Sequence, residues 1–119
     1  MPPSRPHRPS ALLAVLPRRN IVQDDGVHVL VSTKDVEGAH CDGMLLRRCA
    51  FSLAAPFGYL CLGHIRRLAE NCWQASLGAT VRVDEDAGRS DRPDRLHATE
   101  LDAMVNLWSS RRRLTVGNA

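Results

Sequence analysis

Lysine and aromatic side chains are nearly absent from this chain. Lys34 is the sole lysine, and arginine supplies the other fifteen cationic side chains. Aromatics make up 4% of the 119 residues. That scarcity excludes a core built on large rings, so packing must rest on Leu, Val, Ala and Cys. Motifs are missing as well. The chain has no G-x-S-x-G, no G-x-x-x-x-G-K-S/T and no H-E-x-x-H, the local signatures of an activated serine, a phosphate loop and a helical zinc site. Asp84-Glu85-Asp86 is acidic but lacks the spacing and bidentate Glu of a calcium loop. His28 and His97 read as strand and helix-flank residues, not general bases. The sequence therefore assigns no catalytic residue, no cofactor and no metal, and the chain reads as non-enzymatic.

Long hydrophobic runs are also lacking, with one ambiguous stretch. In "RRCAFSLAAPFGYLCLGHIRR", seventeen uncharged residues lie between two arginine pairs. Seventeen is the low end of what crosses about 30 Å of hydrocarbon. Ser52, Pro56, Gly58, Gly63 and His64 oppose a span, and arginines at both ends give no orientation signal. The pattern instead predicts two amphipathic helices broken at Pro56-Phe57-Gly58.

The first helix starts near Gly43, capped by Asp42, with Leu45, Leu46, Cys49, Ala50 and Leu53 on one face. The second runs from about Tyr59 to Leu77, with Leu62, Ile65, Leu68, Ala69 and Cys72 as its apolar stripe and Gly78 as its C-terminal cap. Before them, "NIVQDDGVHVLVST" predicts a hairpin turning at Asp25-Gly26, with a strand over 27–33 that buries its valines. After them, "ATVRVD" alternates as a strand. A last helix spans about Thr99 to Arg111, with Leu101, Met104, Val105 and Trp108 at i, i+3, i+4, i+7. The expected fold is a small single α+β domain over 20–116, in the order β-β-α-α-β-α with a central helical hairpin. Residues 1–19 read as a disordered Pro/Arg-rich arm, and 85–95 as a flexible loop.

Four cysteines, Cys41, Cys49, Cys61 and Cys72, permit two disulfides. The apolar run "ALLAVL" is too short for a secretory signal and is followed by "PRR". The first 23 residues have the acid-free, Arg-bearing composition of an organellar transit peptide, but five prolines oppose its amphipathic helix. Reduced thiols in an intracellular compartment are therefore expected. A zinc reading would join Cys61-x-x-His64 to His40-Cys41. Only one of these pairs has ligand spacing, and buried Cys is an ordinary small hydrophobe, so no metal is assigned.

The formal net charge is +3, modest for a nucleic-acid binder. Arginine bias also follows from GC-rich coding. The charge comes in alternating basic and acidic blocks, as in a chain whose parts neutralise one another. The sequence points to a small soluble protein that acts, if at all, through another macromolecule. The alternative is a nucleic-acid-binding regulator using exposed arginines, with Arg47, Arg48, Arg66, Arg67, Arg111, Arg112 and Arg113 as the partner-binding candidates. A helix-turn-helix match is poor, because Pro56 sits in the turn and His64 where an apolar residue is wanted. A reading frame with no selected function would show the same features. The arginine reading depends on geometry: Arg47, Arg48, Arg66 and Arg67 must come together in space.

Overall fold

A computed structural model describes residues 18–50, 58–84 and 94–116. Its architecture is mostly β. A six-stranded antiparallel sheet is built from β1 (Ile21–Asp24), β2 (His28–Ser32), β3 (Gly43–Arg48), β4 (Tyr59–Ala69), β5 (Cys72–Leu77) and β7 (Leu96–His97), in that spatial order. A separate two-stranded ribbon pairs β6 (Val81–Val83) with β8 (Leu114–Val116). The one helix among the described residues is α1 (Glu100–Ser109).

The expected α+β fold with a central helical hairpin is therefore wrong. The segments read as two helices are β3, β4 and β5. Three physical causes explain the difference. First, Met44, Leu45 and Leu46 are consecutive and each is at most 2% exposed. A strand buried on both faces shows an unbroken apolar run, which helical periodicity also accommodates. Second, β4 carries a bulge. Leu45 pairs with Gly63 and Leu46 with Cys61, leaving Leu62 as the extra residue. An extra residue breaks the two-residue alternation and gives β4 the three-residue spacing of a helix stripe. Third, the reversal between β4 and β5 at Glu70-Asn71 has neither Gly nor Pro. Asn71 supplies the left-handed backbone with φ 58°, which Asn tolerates through its short polar side chain.

Other expected elements hold their places. The Asp25-Gly26 hairpin joins β1 to β2, and Gly26 adopts φ 92°; Val29 and Val31 are buried as expected, but Val27 precedes β2 and is exposed. Thr99 caps α1, its Oγ1 accepting from Asp102 N–H at 3.1 Å. The strand expected at 79–84 is β6, paired with β8 and not with β2. The expected arm keeps only its end within the described residues. There Arg18–Asn20 makes a short 3-10 turn, and buried Asn20 donates Nδ2–H to Ser32 O and Asp35 Oδ1. The remainder of that arm, most of the 85–95 loop and Phe51 to Phe57 lie outside the described residues.

The two faces of the sheet carry different clusters. On one face Leu30, Leu45, Leu62, Ile65 and Ala75 pack with Ala103, Met104 and Leu107 of α1 and with Leu114. Gly63 makes that approach possible. A Cβ there would stand 2.8 Å from Ser76 O and 3.2 Å from Leu107 Cδ1. On the other face Val29, Val31, Met44 and Leu46 cluster, with Cys41, Tyr59 and Cys61 against them.

Candidate functional site

The candidate arginines do not form one patch. Arg47 and Arg48 lie opposite Leu60 and Tyr59, at the start of β4, whereas Arg66 and Arg67 lie near its end. Six residues of strand separate Leu60 from Arg66, roughly 20 Å at about 3.3 Å each. Arg66 and Arg67 are exposed, and the Arg67 backbone N–H donates to Asp42 Oδ2 at 2.8 Å. The would-be recognition helix that carried them is strand β4, so no helix-turn-helix exists there.

Two of the candidate arginines are tied to the β1–β2 turn. Arg48 forks both carboxylate oxygens of Asp24 at 2.7 and 2.9 Å. Arg111 donates Nε–H to Asp25 Oδ2 at 2.7 Å and stacks 4.0 Å from the Trp108 ring centroid. Asp25 Oδ1 also accepts the backbone N–H of Val27 and His28. The Arg48 fork and the Gly26 N–H hold the Asp24 carboxyl down to about 2. Arg111 and the His28 N–H hold Asp25 well below the carboxylate range. Arg47 reaches Leu114 O at 3.4 Å, and Arg112 is exposed beside half-buried Arg113. The turn thus fastens β3 and the end of α1 to the hairpin. His28 is buried beneath it, with Nδ1 3.6 Å from Asp25 Oδ2 and neither ring nitrogen hydrogen-bonded among the described residues. Burial, then Arg47 and Arg111, push its imidazole down despite Asp25.

A second feature is an apolar groove between β1 and α1. Val22, Gln23, Leu30, Leu101, Met104, Val105 and Trp108 line about 210 Å³. The stripe Leu101-Met104-Val105-Trp108, read from the sequence by its helical spacing, is the groove wall. The core face is Ala103, Met104 and Leu107, while Leu101 is 69% and Val105 53% exposed. On the strand side a bulge places Val22 as the extra residue opposite β2. Val22 and Gln23 gave no sequence signal of their own.

The third feature is a pocket of about 220 Å³ on the other sheet face, lined by His40, Cys41, Met44, Cys61, His64 and Arg66. Met44 pairs with His64 and Leu46 with Cys61. Because Leu62 is the extra residue between them, Cys61 and His64 share a face despite their odd spacing. Cys41 is brought in from the loop ahead of β3, where Thr33 Oγ1–H donates to Cys41 O at 2.6 Å. The two short motifs separated in sequence thus meet in one cavity. Burial pushes the Cys61 thiol up to about 11, with Cys41 adding to the effect. Burial also raises the Cys41 thiol. Burial and then Arg66 lower the His64 imidazole. Among the described residues, no three His, Cys, Asp or Glu side chains are placed to hold a metal ion together. No described helix is long and apolar enough to cross a membrane.

No protein-family model matches the chain, and no curated protein or solved structure shows significant similarity to it.

Proposed function

We propose that this chain is a non-enzymatic interaction protein whose docking surface is the β1–α1 groove, and that the occupant is a second copy of the same chain. The observation that carries this reading is the stripe on α1. Four apolar residues at helical spacing form a groove wall, and two of them, Leu101 and Val105, lie more than half exposed. An apolar surface left open beside a sheet edge marks an interaction site.

Symmetry supports a second copy as the partner. Strand β1 is a sheet edge, with exposed Arg18 and Arg19 ahead of it, while Asp24 and Asp25 at its far end are already engaged by Arg48 and Arg111 of their own chain. Two such edges pair when placed antiparallel about a two-fold axis. The same operation brings groove to groove, the self-complementary contact that a two-fold dimer requires. Strand β1 also lacks Lys and Pro, which commonly blunt an edge. The bulge at Val22 interrupts the outer ladder at that residue, so apolar packing of Val22, Leu101 and Val105 carries most of the contact. The opposite edge, β7, is only two residues long and offers no comparable template.

Sedimentation equilibrium of the purified chain tests this. The expected result is a concentration-dependent mass reaching twice the monomer, with Leu101→Glu remaining monomeric but folded. A wild-type monomer at every concentration overturns the reading. So does salt-sensitive retention on duplex DNA by a monomer, which would move the function to the exposed arginines.

A further inference from the structure

The cavity at the β3–β4 junction gathers the soft donor atoms of two separate segments. We propose that this pocket binds a single Cu(I) ion held between the Cys41 and Cys61 thiolates. The site lies on the sheet face opposite α1 and is independent of the β1–α1 groove.

The choice of ion follows from the lining. Two thiols, a thioether and two imidazoles face a cavity that no carboxylate lines. Hard cations such as Ca²⁺ and Mg²⁺ need oxygen ligands and are excluded by that composition. Soft thiolate and thioether donors select Cu(I) or zinc. Structural zinc demands four ligands in a tetrahedron, whereas among the described residues no three His, Cys, Asp or Glu side chains are placed to hold a metal ion together. Cu(I) is satisfied with two or three donors, so it asks the least of the side chains. Cys41 and Cys61 both line this pocket and both pack against the Val29, Val31, Met44 and Leu46 cluster.

The charge balance agrees. Cu(I) with two thiolates carries one net negative charge, and Arg66 stands in the pocket wall to offset it. Each Cys gives up one proton to solvent as its sulfur binds the ion, and the metal keeps its oxidation state. The Thr33 hydroxyl lies 3.6 Å from Cys41 Sγ. The β4 bulge is the structural device behind the site. Without Leu62 as an extra residue, Cys61 and His64 would face opposite sides.

The test titrates the reduced, full-length chain anaerobically with Cu(I) against a chromophoric Cu(I) chelator. One equivalent retained per chain is expected. Cys41→Ser and Cys61→Ser each weaken retention at least ~100-fold, more than a lost outer-shell partner does. Cys49→Ser and Cys72→Ser leave it unchanged, and Met44→Leu weakens it less than either ligand thiol. Circular dichroism of each variant checks that the fold persists, and X-ray absorption of the loaded chain should show sulfur neighbours around copper. The proposal is overturned if the wild type holds copper no better than the Cys41→Ser/Cys61→Ser double variant. It is overturned equally if binding is lost only with Cys49 or Cys72, or if Zn(II) displaces Cu(I) at equal concentration.

Discussion

The two faces of the six-stranded sheet are built from neighbouring residues of the same strands, yet they serve different ends. One face is closed by α1 and the β6–β8 ribbon, and its cluster joins Leu30, Leu45, Leu62 and Ile65 to Ala103, Met104, Leu107 and Leu114. The other has four apolar residues at its centre and collects Cys41, Cys61, Tyr59 and, at the pocket, two histidines. The bulge at Leu62 is the device that sorts them. It turns Leu62 and Gly63 together toward the helix and leaves Cys61 and His64 together on the opposite side. A face that must accept a helix needs close approach and apolar shape. A face that carries chemistry-bearing atoms needs only enough packing to position them.

The largest predicted effect breaks the helix-covered face. Leu107 is completely buried against the sheet, so Leu107→Ala should cost about 2–5 kcal/mol in denaturant unfolding. Cys61→Ala on the other face removes one sulfur from a half-buried position and should cost clearly less. Equal losses would remove the distinction between the faces. Next comes Gly63→Ala. Its new Cβ would meet backbone Ser76 O at 2.8 Å, an overpacking worth about 1–3 kcal/mol. A neutral result would show that the helix does not need the close approach.

The clasp at the β1–β2 turn predicts acid sensitivity in two windows. His28 titrates below its ordinary 6.5 in the folded chain. The unfolded chain therefore binds the proton first, and stability falls as pH drops from about 6.5 toward the lowered folded value. His28→Leu should flatten that limb and raise stability near pH 5.5 by about 1 kcal/mol, since an unsatisfied buried polar group is removed. Asp24 is depressed from 3.8 to about 2. Its contribution is complete above pH 4 and is lost as pH falls through that interval. Asp24→Asn should shrink this second, more acidic decline and leave the first unchanged. Urea midpoints measured from pH 8 to 2 resolve both.

The smallest effect on stability is expected at the groove. Leu101→Glu changes a residue that is 69% exposed, so monomer stability should stay within about 0.5 kcal/mol. Self-association should disappear. A large loss of stability would place Leu101 in the core after all.

What the sequence discloses divides along the same lines. Local chemistry was legible: the Asp25-Gly26 turn, the Thr99 cap, the helix over 100–109 and the alternating Val81 and Val83. Long-range pairing was not. Leu62, Ile65, Leu68, Ala69 and Cys72 trace a helix face because a bulge and the Glu70-Asn71 reversal, both without a Gly or Pro signal, interrupt the strand alternation. The stripe on α1 was legible as apolar, but its neighbour was not: only β1 and the free edge beside it show that two of its residues stay open. The pairs His40-Cys41 and Cys61-x-x-His64 were visible separately, and only the register of β3 on β4 joins them. The arginines illustrate the converse. They are adjacent in sequence as two doublets and stand at opposite ends of β4 in space.

Hydrogen exchange at high and low protein concentration tests the central claim most directly. Amides of 21–24 and 101–108 should gain protection as concentration rises, while those of β4 and β5 stay constant. Protection of β1 and α1 that is indifferent to concentration, or a gain confined to other surfaces, would contradict the β1–α1 groove as the site where two copies meet.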